Sequence, residues 1–215
     1  AGAAADFVQD DQATAPLQSL HRCLEAPPVG LPLQVEVEAL AVGGQRTVEH
    51  RHGLEGCGNR LHEIRTFNSG STFQIENLAV HPFAVSHDAT DPVGFTIGQN
   101  GSRIGVATDL GRVTPHLKEN LKHCHLLILE ANHDQEMLIN GPYPWYLKRR
   151  IQSHSGHLSN GQSKRLLMEL EHKGLEHVIM AHLSQTNNAP RKVLAEVSEA
   201  LTRCKPRLTV ASQHR

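Results

Sequence analysis

Three polar clusters in this chain follow directly after short apolar segments, and their residue types suit metal-assisted hydrolysis. His87 follows Phe83-Ala84-Val85 and Ser86, Asp109 follows Val106-Ala107 and Thr108, and His182 follows Met180-Ala181. Imidazole and carboxylate groups bind zinc or manganese, and a carboxylate can bridge two ions. Two such ions polarise a phosphoryl group and generate hydroxide at neutral pH. On spacing alone, the alternative of two loop histidines and a helix-capping aspartate is equally open.

A second pair of residues suits proton transfer. The apolar segment Leu127-Ile128-Leu129 delivers Glu130 to its end, and His157 precedes Ser159, which is a candidate N-cap of a helix. A helix N-terminus favours anions such as phosphate. A glutamate next to a histidine would orient and charge the imidazole, which could then give a proton to a leaving oxygen. A surface glutamate and a histidine in a capping loop remain the alternative.

The elements that must position these residues alternate in the manner of an α/β protein with a mixed sheet. The pattern predicts strands at 62–67, 72–75, 78–85, 93–97, 103–107, 126–129, 178–181 and 207–211. It predicts helices at 114–121, 145–151, 159–172 and 190–203. Asn100-Gly101 predicts a tight hairpin turn, and Thr114-Pro115 predicts a helix start. Upstream of about residue 60 only 33–42 reads as a strand.

Composition limits the classes of protein that remain. The formal net charge of −1 excludes a bulk polycation, so nucleic acid would have to be bound by a local basic patch. The four cysteines are scattered without a CxxC pair, and we interpret them as free thiols in a reducing compartment. Neither a signal peptide nor an apolar run of membrane-spanning length is found, so we expect a cytoplasmic protein.

Six segments together resemble the metallo-β-lactamase superfamily, and within it most closely the YycJ/WalJ-like exonuclease branch. They are 85–92, 107–111, 130–134, 143–150, 156–160 and 181–188, and the resemblance extends from about residue 60 to about residue 210. The resemblance implies an αββα sandwich with a centre of two divalent metal ions, zinc or manganese. It also implies hydrolysis of phosphodiester bonds in DNA.

The resemblance also implies roles for individual residues. His87 would bind one metal ion, Asp109 would bridge both ions, and His182 would complete the shell of the second. Glu130 and His157 would act in proton transfer, which agrees with the interpretation made from the residues themselves.

Contacts with the substrate are predicted from a basic run and from amide and hydroxyl side chains. The basic run is Lys148, Arg149 and Arg150, and the candidates for hydrogen bonds to phosphate are Asn160, Ser184, Asn187 and Asn188. Phosphate contacts supply most non-specific affinity for nucleic acid. For any single basic residue, a solvated helix face is an equally good interpretation.

The sequence departs from the family pattern near its beginning. The superfamily's His-x-His-x-Asp-His motif is absent, and the nearest candidate, His50-Arg51-His52, has no Asp-His continuation. His133 lies in a family-like segment without an assigned role. We therefore expect a poorly patterned segment 1–58, truncated or misframed, followed by the C-terminal portion of a metallo-β-lactamase-like domain at 59–215. A genuinely diverged protein is the alternative.

The sequence thus predicts a metal-dependent hydrolase, specifically a DNA exonuclease, with activity impaired by the missing motif and with fewer than two bound ions. Two alternatives stay open. One is a hydrolase of another substrate, such as a lactone or thioester, because one fold hosts many chemistries. The other is a non-catalytic remnant that binds nucleic acid.

Overall fold

A computed structural model of the chain describes residues 35–42, 45–52 and 63–212, with side chains from Thr66 onward. Most of the predicted segment 1–58, including Cys23 and Cys57, lies outside the described residues. His50 and His52 belong to a described strand, but their side chains lie outside the description. Of the two cysteines within it, Cys124 and Cys204 are both free thiols, as predicted.

The strands form two sheets. The three-stranded sheet is antiparallel and contains β1 (Val35–Val42), β2 (Gln45–His52) and β3 (Glu63–Phe67) in that order. The larger sheet contains β4 (Phe73–Ile75), β5 (Leu78–Ala84), β6 (Val93–Gln99), β7 (Ser102–Ala107), β8 (Leu126–Glu130), β9 (His177–Ala181) and β10 (Arg207–Val210). Its spatial order is β10-β9-β8-β7-β6-β5-β4, antiparallel from β4 to β7 and parallel from β7 to β10. The predicted mixed α/β class is therefore confirmed.

Five helices are described, namely α1 (Pro115–Leu121), α2 (Gln135–Asn140), α3 (Trp145–Ile151), α4 (Asn160–Leu170) and α5 (Pro190–Ser198). Two starts follow the predicted capping chemistry. The Thr114 hydroxyl accepts the N–H of Leu117, with proline at the first helical position. Ser159 and Gln162 form a reciprocal capping box at the start of α4. Among the described residues, no helix has the length and apolar character needed to cross a membrane.

The hairpin between β6 and β7 turns as predicted. Asn100 and Gly101 both adopt a left-handed backbone, with φ of 48° and 84°. A two-residue loop with positive φ at both positions matches the twist of the flanking strands, and Asn-Gly adopts it at low cost. The turn fixes the register from Gln99 opposite Ser102 to Phe95 opposite Val106.

The core lies on both faces of the parallel strands. In β8, Leu127 and Leu129 belong to the larger apolar cluster, which also contains buried side chains of α1, α4 and α5. Leu126 and Ile128 alternate with them and belong to a second cluster. Successive side chains of a strand point to opposite faces, so the two clusters lie on opposite faces of the sheet. The side chains of both sets are buried. β8 is therefore rigidly held, and so is the residue at its end.

The ends of two predicted helices were wrong, and one helix was not predicted. α4 ends at Leu170 rather than at 172, and α5 ends at Ser198 rather than at 203. The buried carboxylate of Glu171 accepts the backbone N–H groups of Arg203 and Cys204, which therefore leave the helical ladder. The third error is α2, which was not predicted and which begins where the Asp134 side chain accepts the N–H of Met137. Its six residues, with three consecutive apolar side chains in the middle, are too few to show a helical period.

Candidate metal and catalytic site

The ends of three neighbouring strands bring the predicted site residues together. β7, β8 and β9 are adjacent and parallel, so the residues that follow them meet at one edge of the sheet. These residues are Asp109 after β7, Glu130 at the end of β8 and His182 after β9. His87 comes from the loop after β5, and the N–H of Gly111 bonds to the Ser86 carbonyl beside it at 2.8 Å.

The three predicted metal ligands face one another. The Nε2 atom of His182 lies 3.5 Å from Oδ1 of Asp109, and the Nε2 atom of His87 lies 3.9 Å from the same oxygen. The other ring nitrogen of His87 lies 3.0 Å from the carbonyl of Gly156, and that of His182 lies 2.6 Å from Glu130. Fixing Nδ1 in this way sets the tautomer and leaves Nε2 as the ligand atom. The donor set therefore fits a divalent ion.

Glu130 is fully buried and holds two imidazoles at once. Its Oε1 lies 2.8 Å from Nδ1 of His157 and 2.6 Å from Nδ1 of His182. Its Oε2 accepts the backbone N–H groups of Leu110 and Leu158, both at 3.1 Å. The four atoms offered by Asp109, Glu130, His157 and His182 lie within 4.8 Å of one another. Since both oxygens of Glu130 are already engaged, it orients the imidazoles rather than serving as a ligand.

The charges of this cluster reinforce each other. Burial acts to raise the pKa of Glu130, but the hydrogen bonds from His157 and His182 outweigh it and hold that pKa well below its ordinary value. Burial acts to lower the pKa of His182, whereas the hydrogen bond and charge of Glu130 and the charge of Asp109 raise it to about 9. Glu130 is thus an anion, and the imidazole of His182 is more basic than an ordinary histidine. A divalent ion would have to compete with a proton for its Nε2.

Two of the candidate ligands have a left-handed backbone, which is uncommon for residues other than glycine. Asp109 and His182 both have φ of 57°. Such a conformation costs about 1–3 kcal/mol and persists where the surroundings hold it, often at functional sites. Each residue is anchored by the parallel strand that precedes it. The strain turns both side chains toward the same space at the edge of the sheet.

Two glycines allow the close packing around the loop that carries His157, namely Gly156 in the loop itself and Gly111 in the segment after β7. A Cβ at Gly156 would meet the carbonyl oxygens of Arg150 and Ile151. A Cβ at Gly111 would meet the Ser153 carbonyl oxygen and lie 2.5 Å from the amide nitrogen of Gly156. These backbone contacts fix the loop in front of the site, and with it the Gly156 carbonyl that holds His87.

We expect Gly156→Ala to lower the free energy of unfolding by about 3 kcal/mol, at the upper end for overpacking, because only backbone atoms could give way. That corresponds to a fall in Tm of about 6–12 °C for a domain of this size. The measurement is thermal unfolding followed by circular dichroism. Gly98→Ala is the matched control, since its Cβ would meet nothing closer than 3.9 Å. Equal Tm values for the two variants would contradict the role given to this packing.

A cavity of about 360 Å³ opens in front of these residues. His87, Asp109, His157 and His182 lie in its wall. Helix α3 and the segment before it supply the opposite side through Tyr143, Leu147, Arg150 and Ile151. Nε of Arg150 donates to Asp88, also in the lining, at 2.6 Å, and this bond holds the pKa of Asp88 below its ordinary value. The cavity is therefore polar at its base and partly apolar along α3.

The three basic residues of α3, Lys148, Arg149 and Arg150, have different surroundings. Nζ of Lys148 donates to the carbonyls of Ile139 and Gly141, at 2.8 and 2.7 Å, and so closes the end of α2. Arg149 is exposed and lies outside the cavity lining, which Arg150 reaches. The predicted basic run contains all three residues, and Arg150 is the one that lines the cavity. The spacing of Arg150 from Leu147 and Ile151 on one helical face is the pattern that could have indicated the residue at the cavity.

The four polar candidates for substrate contact, Asn160, Ser184, Asn187 and Asn188, also separate. Ser184 lies in the cavity lining, and its Oγ accepts the N–H of Asn187 at 3.1 Å. Asn160 is buried and exchanges side-chain hydrogen bonds with Asn188 at 2.9 and 3.1 Å. Asn187 is fully buried outside the lining. Sequence reasoning missed Asn132, which lines the cavity and whose Nδ2 donates to the His182 carbonyl.

His133 is buried behind the site. Its carbonyl accepts the N–H of Asn160 at 2.9 Å, which links the segment after β8 to the start of α4. Its Nδ1 has no partner within the described part of the chain, and burial lowers the pKa of the imidazole to about 4. A neutral ring follows from that pKa. The structure therefore gives His133 a packing position rather than a place in the cavity.

Known proteins resemble this chain in sequence and in fold. A family model described as "Beta-lactamase superfamily domain" matches residues 23–183. The chain is 34% identical over 135 residues, 63% of its length, to the exodeoxyribonuclease YycJ of Bacillus anthracis and covers 51% of that protein. It is 32% identical over 122 residues, 57% of its length, to the exodeoxyribonuclease WalJ of Streptococcus pneumoniae and covers 45% of it.

A solved structure gives the same picture at the level of fold. The metallo-β-lactamase fold protein YhfI of Bacillus subtilis superposes with a TM-score of 0.52 at 14% identity, covering 68% of this chain and 52% of that one. At such low identity the likeness concerns the fold alone. The chain spans about half the length of the curated relatives that it matches.

Proposed function

The chain belongs to the β-lactamase superfamily, and from that premise we propose that its cavity is the site of a metal-dependent phosphodiesterase that degrades DNA as an exonuclease. The observation that carries the proposal is the position of Glu130, whose one oxygen holds both His157 and His182. This arrangement couples a proton-transfer imidazole to a metal-binding imidazole. The relatives named exodeoxyribonucleases supply the substrate class.

The residues present fit the divalent ions that the fold implies. His87, Asp109 and His182 would hold them, with the carboxylate of Asp109 between the two imidazoles. Bound ions would polarise the phosphate and lower the pKa of water. Neither zinc nor manganese is favoured by these ligands, since imidazole and carboxylate suit both.

His157 is proposed to transfer the proton. Its Nδ1 is held by Glu130, and its ring lies between those of His87 and His182, at centroid distances of 4.9 and 5.1 Å. Nε2 is therefore the nitrogen that can give a proton to the leaving oxygen. The Glu130 carboxylate accepts the hydrogen bond from Nδ1 and so orients the ring, as a buried acid orients a catalytic histidine elsewhere.

The leaving group of the substrate tests this role. We expect His157→Ala to lower the turnover of a DNA phosphodiester by about 100- to 10,000-fold, because its alkoxide leaves poorly without a proton. Hydrolysis of bis(4-nitrophenyl) phosphate, whose phenolate leaves without help, is expected to fall by less than about tenfold. The measurement is kcat on both substrates with the metal-loaded chain. Equal losses on the two substrates would reject proton donation by His157.

Two other functions stay in view. A lactone or thioester hydrolase on the same fold would show a higher kcat/KM for those substrates than for phosphodiesters in the same assay. A non-catalytic nucleic-acid-binding protein is favoured by one specific observation, the missing His-x-His-x-Asp-His motif. It predicts less than one metal ion per chain and no turnover of any substrate.

A further inference from the structure

The tyrosines and the tryptophan of this chain are concentrated at the start of α3, the helix that lines one side of the cavity. The sequence contains one tryptophan and two tyrosines, and all three lie at Tyr143, Trp145 and Tyr146. Tyr143 lines the cavity, whereas Trp145 and Tyr146 are 67% and 75% exposed. Large aromatic rings are usually buried on average, so two neighbouring exposed rings beside a polar cavity call for an explanation.

The helical period places these rings next to arginines. Leu147 and Arg150 of α3 lie on the side that lines the cavity. Tyr146 precedes Arg150 by four residues, and Trp145 precedes Arg149 by four residues, so each aromatic residue shares a helical face with an arginine. Going around the helix from the side that lines the cavity, Arg150 and Tyr146 come first, and Arg149 and Trp145 come next. Arg149 is exposed, with no ion-pair partner among the described residues.

This combination suits one ligand chemistry better than others. A lipid surface or a protein partner would be expected to meet a broader apolar area. Within the described part of the chain, three other large apolar side chains are exposed, and of these Ile139 lies in α2, where its carbonyl accepts Nζ of Lys148 from α3. Alternating cations and exposed rings match the alternating phosphates and bases of a polynucleotide whose bases are unpaired. Rings stack on any base, and guanidinium groups bind phosphate oxygens.

We propose that Trp145 and Tyr146 form a stacking platform for unpaired bases of the strand whose phosphate occupies the cavity. The proposal rests on the proposed phosphodiesterase function and names the form of its substrate, a single strand or a frayed end. The arginines provide charge for the backbone, and the rings provide the contact with bases. Recognition is independent of base sequence, because no base-edge donor or acceptor is required.

The single tryptophan allows a direct test on the whole chain. In chelator, so that nothing is hydrolysed, the chain is titrated with an oligothymidylate of about twelve nucleotides and with an abasic strand of the same length. Fluorescence anisotropy of labelled strands gives the occupancy, and Trp145 emission reports stacking. We expect strong quenching by oligothymidylate and none by the abasic strand at equal occupancy. An oligouridylate arm distinguishes RNA from DNA as the source of the bases.

Variants separate stacking from charge. We expect Trp145→Ala and Tyr146→Ala each to weaken oligothymidylate binding by about tenfold and to leave abasic binding unchanged. Trp145→Phe should retain binding within about threefold, since phenylalanine still stacks. Ile139→Ala is the matched control, because it removes an exposed apolar side chain of α2 next to the platform and is expected to change neither affinity.

Three results would overturn the proposal. The first is that the wild type binds oligothymidylate and the abasic strand with equal affinity. The second is that Trp145→Ala binds oligothymidylate as tightly as the wild type does. The third is that Trp145 emission changes with protein concentration while light scattering shows dimer formation. The last would assign the rings to an interface between copies of the chain. Because binding is measured without metal, these outcomes are independent of the hydrolysis assay, which alone decides the proposed function.

Discussion

Asp109→Ala is expected to reduce metal-dependent DNA hydrolysis by about a thousandfold, because Lewis-acid stabilisation by bound metal contributes several kcal/mol to the transition state. Oδ1 of Asp109 lies 3.5 Å from Nε2 of His182 and 3.9 Å from Nε2 of His87, so it is the carboxylate oxygen that lies near both imidazoles. Without it, the two imidazoles remain and the anionic ligand is lost. The bound metal is expected to fall from the wild-type value to near zero per chain.

Metal content is measured by mass spectrometry on purified protein, and hydrolysis is measured on end-labelled DNA. Asp109→Asn separates charge from backbone strain, because asparagine also tolerates the left-handed φ of 57° at this position. We expect Asp109→Asn to lose metal and activity like alanine while unfolding close to the wild-type temperature. Glu169→Ala, which removes an exposed carboxylate, should leave both unchanged. Metal-loaded, active Asp109→Asn would refute the ligand assignment.

The same measurement bears on the missing motif. Two ions per wild-type chain, lost in Asp109→Ala, would mean that further ligands complete the centre, with His50 and His52 as the candidates named from the sequence. Near-zero metal in the wild type would favour the non-catalytic alternative. In that case the exonuclease activity would be a property of the relatives rather than of this chain.

Glu130→Gln is expected to destabilise the protein by about 3 kcal/mol and to weaken metal binding by about 10- to 100-fold. The carboxylate faces four donors, the rings of His157 and His182 and the N–H groups of Leu110 and Leu158. A glutamine must turn its NH₂ toward either the rings or the N–H groups, so buried donors would oppose each other. The resulting fall in Tm is about 6–12 °C.

Glu171→Gln is the matched control. Its carboxylate is also buried and accepts two backbone N–H groups, from Arg203 and Cys204, but it lies outside the cavity lining. We expect a smaller loss of Tm with unchanged metal affinity, because both N–H groups bind Oε1 and a glutamine carbonyl oxygen can still accept them. Thermal unfolding and metal titration with a competing chelator measure the two effects. If Glu130→Gln changes only Tm, as Glu171→Gln does, the carboxylate has a purely structural function.

Local pattern determined much of this protein. The strands that precede Asp109, Glu130 and His182 are short apolar runs. The Asn100-Gly101 turn and the Thr114 cap follow from single residues. The matched segments identified the superfamily and its fold class. Each of these features depends on contacts within a few residues or on one strand, so sequence alone contains the required information.

The tertiary structure decided what depends on long-range contacts. Glu130 bonds His157 and His182, which are 27 and 52 residues away in sequence, and no local pattern shows that one oxygen serves both. Helix α4 ended early because Glu171 binds a segment more than 30 residues away. Lys148 closes α2, whereas Arg150 reaches the cavity, because the side of a helix that faces a site is fixed only when its neighbours are packed.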